Sequence, residues 1–405
     1  MDFGHSPRTQ LLIEQVAAFI RDEIEPIEAD YHRAVAAAGD PWQPLPILGE
    51  LRAKAKAAKL WNLFLPDDKL GAGLSNVDYA PIAELSGRSF IAPYVFNCNA
   101  PDTGNMEVLV KYGDQAQRDR WLHPLLAGEI RSAFCMTEPD VASSDATNMA
   151  ATVTLDGDDV VVNGRKWWST GVGNPDCKIL IVMGVSDATA DKHSRHTMVL
   201  VPRDTPGVAV ERLLPAMGRH DEPFGHGEVT FTDVRVPAGN VIAGPGRAFE
   251  IAQGRLGPGR VHHCMRLIGL AERSLELACE RATSREAFGR RIADLGGNRE
   301  RIADARIAID QARLLVLHAA WLLDTQGIAS AYGAVSQIKV AVPLMAQQVV
   351  DMAIQLHGGG GLSEDFPLAA AWTSARSLRL ADGPDEVHRG VIARLELAPY
   401  LADRP

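Results

Sequence analysis

The 405-residue chain is 46% hydrophobic, too long for one ordinary core, and predicts a large globular protein of two or three packed units. Its formal net charge of −10 argues against a broad nucleic-acid or anionic-membrane surface. Five cysteines (Cys98, Cys135, Cys177, Cys264, Cys279) are scattered without paired or metal-type spacing, so they read as buried thiols in a reducing compartment, with neither disulfides nor a metal centre expected.

Three zones follow in chain order. From Leu11 to Ile24 apolar residues recur at helical spacing, and further helix-like stretches lie around 46–60, 76–90 and 105–127, so residues 1–131 are expected to form an α-helical domain. "ATVTLDGDDVVVNGRKWW" then alternates, turns at Asp156-Gly157 and resumes, which is a hairpin. The β-rich runs "CKILIVMGV", "HTMVLVPR" and "GEVTFTDVRV" extend this into a small β domain over 132–243. Long helical periods return from about Phe249, broken by glycines, and predict a C-terminal helical bundle over 244–405. The fold class is α+β. The start "MDFGHSPRTQ" lacks a basic-then-apolar signal pattern, no stretch holds 18 or so uncharged apolar residues, and "LADRP" is not a peroxisomal tripeptide, so a cytoplasmic protein with no membrane partner is expected.

Several stretches carry candidate chemistry. "FCMTEPDVASSDATN" (134–148) offers backbone N–H groups and hydroxyls to an anion or a heteroaromatic edge, or is a plain domain-junction loop. In "NGRKWWSTG" (163–171), Trp167 and Trp168 point to opposite sides of a strand, so one can pack inward while the other faces a planar ligand. Arg219, His220 and His226 in "MGRHDEPFGHGEV" read as a solvated loop of the β domain. Arg260, His262 and His263 follow one another on "GPGRVHH", the histidines as packing groups or as partners of a hydroxyl or phosphate on a ligand. The four glycines of "QLHGGGG" (355–361) exceed the needs of a helix C-cap and allow close approach of a ligand, with His357 packed beside the turn. "RLADGPDEVHRG" (379–390) brings Asp382, Asp385 and Glu386 to a Gly-Pro bend.

In their order and spacing these stretches resemble the acyl-CoA dehydrogenase family of flavoproteins over about residues 8–398. The likeness rests on Thr137-Glu138-Pro139, on Asn163, Gly164, Lys166, Trp168 and Thr170, on "GLAERSLELA" with "REAFGR", and on "QLHGGGG". It implies a helical domain, a middle β domain and a four-helix bundle, with FAD as cofactor. By the same resemblance Phe134, Met136 and Thr137 touch the flavin ring, Ser143 serves pyrophosphate and substrate, and Trp168, Ser169 and Thr170 cover the ring and its N5. Arg285 and Phe288 reach the FAD of a neighbouring subunit, and Gln355, Leu356, His357, Gly358 and Gly359 turn over the adenine side, so a homodimer or homotetramer is implied. Arg suits a pyrophosphate through its bidentate fork. Arg260 and Gly383 match positions close to the substrate.

The family's Tyr-Glu-Gly-Thr, whose Glu removes the α proton of the acyl thioester, reads Ala381-Asp382-Gly383-Pro384 in this chain. Asp382 is therefore the expected base. An alternative family base position falls on Gly259, which cannot act as one. Asp385 and Glu386 are expected on the first turn of the next helix, where carboxylates favour the dipole. Pro384 and Glu386 stand where the family has other residues near the cofactor. Asp is one methylene shorter than Glu, and a displacement of about 1 Å can cost about a hundredfold in rate. The wording is most similar to the branch that processes 4-hydroxyacyl-CoA. The implied reaction is dehydrogenation of an acyl-CoA to a 2-enoyl-CoA, with an electron-transfer flavoprotein as acceptor. Burial is expected to raise the Asp382 pKa above about 3.9. Two other readings are a nitroalkane oxidase, which shares the Asp base, and a non-catalytic DNA-associated flavoprotein, which the acidic balance disfavours.

Overall fold

A computed structural model describes residues 4–401; Met1–Phe3 and the residues 402–405 that end "LADRP" lie outside it. The N-terminal segment is helical from its first cap. The Ser6 side chain accepts from Thr9 N at 3.2 Å and Pro7 takes the first helical position, which starts Pro7–Phe19. The predicted helix over 11–24 does not stop at Ile24. A π turn over Ile20–Ile24 passes it into Glu25–Ala37, and Pro26, which lacks an N–H to give the ladder, stands directly after that irregular turn. Pro46–Ala57 and Asn76–Ser86 follow.

The stretch 105–127 is interrupted. The helix Asp102–Tyr112 ends at the extended Gly113, the chain restarts with an Asp114/Gln117 capping box, and it stops at the left-handed Gly128. The start of Asp102–Tyr112 docks the β domain. Asp102 accepts from Ser132 N (2.7 Å) and Ser132 Oγ (2.6 Å) and pairs with Arg131 at 2.7 Å, both charges nearly fully buried.

Seven strands form the middle layer: β1 Arg131–Cys135, β2 Thr152–Asp156, β3 Asp159–Thr170, β4 Cys177–Val185, β5 His196–Pro202, β6 Val208–Leu213 and β7 His226–Pro237. Their order is β1-β4-β2-β3-β7-β6, with β5 also on β4. β2 and β3 are the expected hairpin, Asp156 opposite Asp159 and Gly157 at φ 62°. A valine-rich cluster, including Val153, Val162, Val229 and Val234, fills one side of the sheet.

Beyond it run the long helices Ala248–Ser284 and Asn298–His357, then Leu368–Ser377 and Asp385–Leu401. Gly327, at φ 77° and ψ 175°, kinks the second into two arms. Asn298–His357 is long and apolar enough by composition to cross a membrane, yet half of its most apolar window is buried in the fold. The five cysteines are free thiols, four of them buried.

Candidate functional site

The Thr137 loop and the Trp168 strand are laced together by one buried ion pair. Lys166 Nζ lies 2.7 Å from Glu138 Oε1 and donates to the Met136 carbonyl at 3.0 Å. Glu138 also accepts from Ala150 N (2.7 Å) and Ala151 N (3.0 Å). Ser143 Oγ accepts from Glu138 N at 2.9 Å, and Trp167 N donates to Thr137 O at 2.9 Å. Burial pulls the Lys166 pKa down against the opposing pull of Glu138, so the ammonium depends on its partner. Phe134 near the end of β1, and Met136, Thr137 and Ser143 on the loop that follows it, are thereby tied to the strand that carries Trp168, Ser169 and Thr170.

Simple alternation fails on β3. The register against β7 shifts between Lys166 and Ser169, and Trp168 takes φ 52°. Lys166 and Ser169 are consequently both buried, while Trp168 is 40% exposed. A half-bare indole beside Trp167, whose buried Nε1 has no partner among the described residues, is a surface made for a planar, polar ligand.

His226 corrects the expectation of a solvated loop. It opens β7 directly across from Thr170, and its Nδ1 lies 2.9 Å from Thr170 Oγ1. Its ring centroid is 5.6 Å from that of Trp168. Arg219 reaches Glu364 at 3.5 Å and His220 packs edge-on to Trp42.

Asp382 sits at φ 58° and Gly383 at φ 101°, a turn that a side chain at 383 could not share: a Cβ there would lie 2.9 Å from His388 Nε2. Three side chains hold it. Arg260 Nε and His388 Nε2 donate to Asp382 O at 2.9 and 3.2 Å, and Lys339 Nζ donates to Leu378 O (2.5 Å) and Ala381 O (2.7 Å). Arg260, matched to a substrate position, is committed to this carbonyl. Asp385 begins the last helix, as expected of the first turn, but is buried and paired with Arg379 at 2.7 Å; Glu386 beside it is exposed and Pro384 half-buried.

The Asp382 carboxyl titrates below its usual range, not above it. Burial pushes its pKa up, but His263, Lys339, Arg255 and Arg260 together outweigh burial. His263 Nε2 is 3.6 Å from Asp382 Oδ2, and burial beside Arg266 takes that histidine down to about 3, so near neutrality the lysine and the arginines hold the carboxylate ionised. The sequence expectation counted burial alone and not the charges of these cations. Lys339 was legible as the only charged residue between Asp324 and Asp351. His262, by contrast, is a packing group against Tyr79, centroids 4.9 Å apart.

Arg255, not singled out from the sequence, connects the two groups. Its guanidinium stacks 4.0 Å from the Phe134 ring centroid, its Nε donates to Asn105 at 3.1 Å, and its charge acts on Asp382. It also faces Glu107, another unforeseen residue, whose Oε2 is buried without a partner among the described residues. Burial takes Glu107 up to about 8 despite Arg255. The folded chain therefore keeps a proton that the unfolded chain sheds near pH 4.5, and stability falls as pH rises between those two values. Glu107→Gln should remove that slope: the variant should melt above wild type at pH 8 and no higher at pH 4. Thermal melts across this range check it.

Arg285, Phe288 and Gln355–Gly359 come together elsewhere, on a cleft of about 680 Å³ also lined by Arg281 and Arg301. None of residues 134–170, nor Asp382, lines it. Phe288 and Gly289, at φ 54° and 73°, form the tip of the Glu286–Ala287/Arg290–Arg291 hairpin and leave the Phe288 ring 94% exposed. His357 Nδ1 donates to Ala353 O at 2.8 Å and packs on Phe366, and Gly358 ends the helix at φ 61°.

Three domain patterns match in order: acyl-CoA dehydrogenase N-terminal domain over 6–129, middle domain over 133–234 and C-terminal domain over 246–397. FadE2 of Mycobacterium tuberculosis is 50% identical, covering 98% of this chain and 97% of its own length. The chain belongs to the acyl-CoA dehydrogenase family. A solved structure of an acyl-CoA dehydrogenase-family protein from Mycobacterium abscessus is 67% identical, covers 98% of this chain and 100% of its own, and superposes with a TM-score of 0.96. Mouse acyl-CoA dehydrogenase family member 10 and human family member 11 are 52% and 50% identical over 97% and 98% of this chain, which spans only 37% and 51% of their lengths. The observed helical, β and helical order is that of the acyl-CoA dehydrogenase fold.

The residues of this family member fit an FAD. A partnerless indole N–H, a bare Trp168 face and a hydroxyl-bearing loop suit the ring, and a cleft with three arginines and open glycine backbone suits a pyrophosphate.

Proposed function

We propose that this protein is an FAD-dependent dehydrogenase that converts an acyl-CoA thioester to a 2-enoyl-CoA with Asp382 as its base, acting on chains oxygenated at C4. The observation that carries the reading is the Asp382 turn: a carboxylate kept ionised by Lys339, Arg255 and Arg260, with its backbone fixed by Arg260, His388 and Lys339. An ionised carboxylate accepts a carbon-bound proton without first having to lose its own. Family membership supports the class of reaction, and the aspartate in place of the family's glutamate supports a substrate seated differently.

In this reading Asp382 removes the C2 proton, and the Asp382 backbone N–H, which makes no hydrogen bond within the described residues, is available to polarise the thioester carbonyl. When bound, FAD supplies the acceptor for the hydride leaving C3. The Thr137 loop and the Trp168–Thr170 bulge bind the ring and exclude water. By family likeness Arg285 and Phe288 serve the FAD of a neighbouring subunit and the Gln355–Gly359 turn its adenine side; the cleft they share, apart from the Thr137 loop and the Trp168 strand, supports this reading. A homodimer or homotetramer follows, with an electron-transfer flavoprotein as the electron acceptor.

Anaerobic bleaching of the bound flavin by a panel of acyl-CoAs tests the assignment. Thioesters carrying a C4 oxygen should reduce it several-fold faster than saturated chains of equal length. Faster reduction by nitroalkanes, with peroxide formed in air, would move the protein to nitroalkane oxidation.

A further inference from the structure

Thr170 and His226 are cross-strand partners on β3 and β7, and their side chains meet at 2.9 Å. On the far side of the imidazole, His226 Nε2 lies 3.8 Å from Asp221 Oδ2. A carboxylate can only accept, so the tautomer with its proton on Nε2 is favoured and Nδ1 is left as an acceptor for the Thr170 hydroxyl. Burial holds the imidazole neutral against Asp221, with His220 adding its own opposition to charge. The Trp168 ring lies beside the imidazole, centroids 5.6 Å apart. The Asp221 side chain is 54% exposed and so keeps water at its carboxylate, although the protein packed around it pushes its pKa up against the pull of His226.

We propose that His226 is a positioning residue that gives the Thr170 hydroxyl proton a second acceptor, so that Thr170 can switch between donating to and accepting from the cofactor nitrogen that receives hydride. This rests on the reading above that Trp168–Thr170 face the flavin ring. Before hydride transfer that nitrogen carries a lone pair and calls for a donor; afterwards it carries a hydrogen and calls for an acceptor. A threonine hydroxyl has one proton. It can serve as acceptor at low cost only if the proton has another partner, and His226 Nδ1 is at hydrogen-bond distance to be that partner. The pair therefore favours the reduced cofactor over the oxidised one, and the Asp221 charge 3.8 Å from Nε2 biases the tautomer that this needs.

The experiment is a spectroscopic measurement of the midpoint potential of the bound flavin in the full-length holoprotein, with FAD content and melting temperature measured on every variant. His226→Leu should keep its FAD and lower the potential by about 30 mV, a tenfold shift towards the oxidised form for a two-electron couple. His226→Gln, whose amide oxygen can take the hydroxyl proton, should recover most of the shift. In a Thr170→Val background, His226→Leu should have no further effect, because its partner is gone. Asp221→Asn, on an exposed side chain, should shift the potential in the same direction by less, and stands in if His226→Leu fails to fold. A potential unmoved in both His226→Leu and Asp221→Asn overturns the proposal, as does a shift that persists in full without Thr170. Wild-type protein purified without flavin would remove the cofactor reading along with it, whereas a yellow wild type with unmoved variants removes only the role of His226.

Discussion

Asp382→Asn should hold FAD and bind acyl-CoA, yet reduce its flavin slower by about 10² to 10⁴-fold, the usual cost of losing a general base. The substitution is a clean one. Asn is among the residues that best tolerate the left-handed φ of 58° at this position, and the bonds that hold the turn reach the backbone carbonyl, not the carboxylate. Asp385→Asn and Glu386→Gln should leave the reduction step far less affected, the first costing stability through its buried pairing with Arg379. Asp382→Glu tests the fit: the added methylene should slow the native substrate while leaving room for a plain acyl-CoA to gain. Because the Asp382 pKa is depressed, the wild-type rate should stay level as pH falls to about 4, the ordinary carboxylate range, and decline only below it. Stopped-flow reduction of the variants decides the matter. An Asp382→Asn enzyme reducing near the wild-type rate would mean that another group takes the proton.

Lys166→Met is expected to have the largest effect on stability. It leaves the Glu138 carboxylate, 3% exposed, without its cation, and breaking a buried pair in this way costs about 3–5 kcal/mol. The Thr137 loop should loosen at the same time, because Lys166 also holds the Met136 carbonyl. A melting temperature lower by about 5 °C, with loss of bound FAD, is the expected result. Adding Glu138→Gln should recover part of the stability by removing the stranded charge, although Ala150 and Ala151 N–H would then face a weaker acceptor. A double variant no more stable than Lys166→Met would show that packing of the lysine stem, not charge pairing, is what the site requires. Thermal melts and flavin absorbance of the two variants measure both effects.

Much of the architecture was written locally. Period-3.6 apolar spacing, the Ser6-Pro7 start and the glycine stops mark the helices, and strict alternation around Asp156-Gly157 marks a hairpin whose valines make the sheet's core. The ordered motifs, from Thr137-Glu138-Pro139 to Ala381-Asp382-Gly383, were enough to point to the family, and Asp382 as candidate base followed from its place at the family's glutamate, beside the one retained glycine. What the sequence could not carry were quantities that depend on which distant residues meet. The bulge at Lys166–Ser169 turns Trp168 outward against the alternation, because register is settled between β3 and β7 and not within β3. His226 looked like part of a loop until β7 set it opposite Thr170. The ionisation of Asp382 depends on Arg255 and Arg260 from one helix and Lys339 from another, each more than 40 residues away in sequence. Local pattern fixes the elements because it acts through neighbouring dihedrals and the solvent; a pKa and a hydroxyl's hydrogen-bond partner are set by charges and dipoles within a few ångströms, and only the packed chain decides which those are.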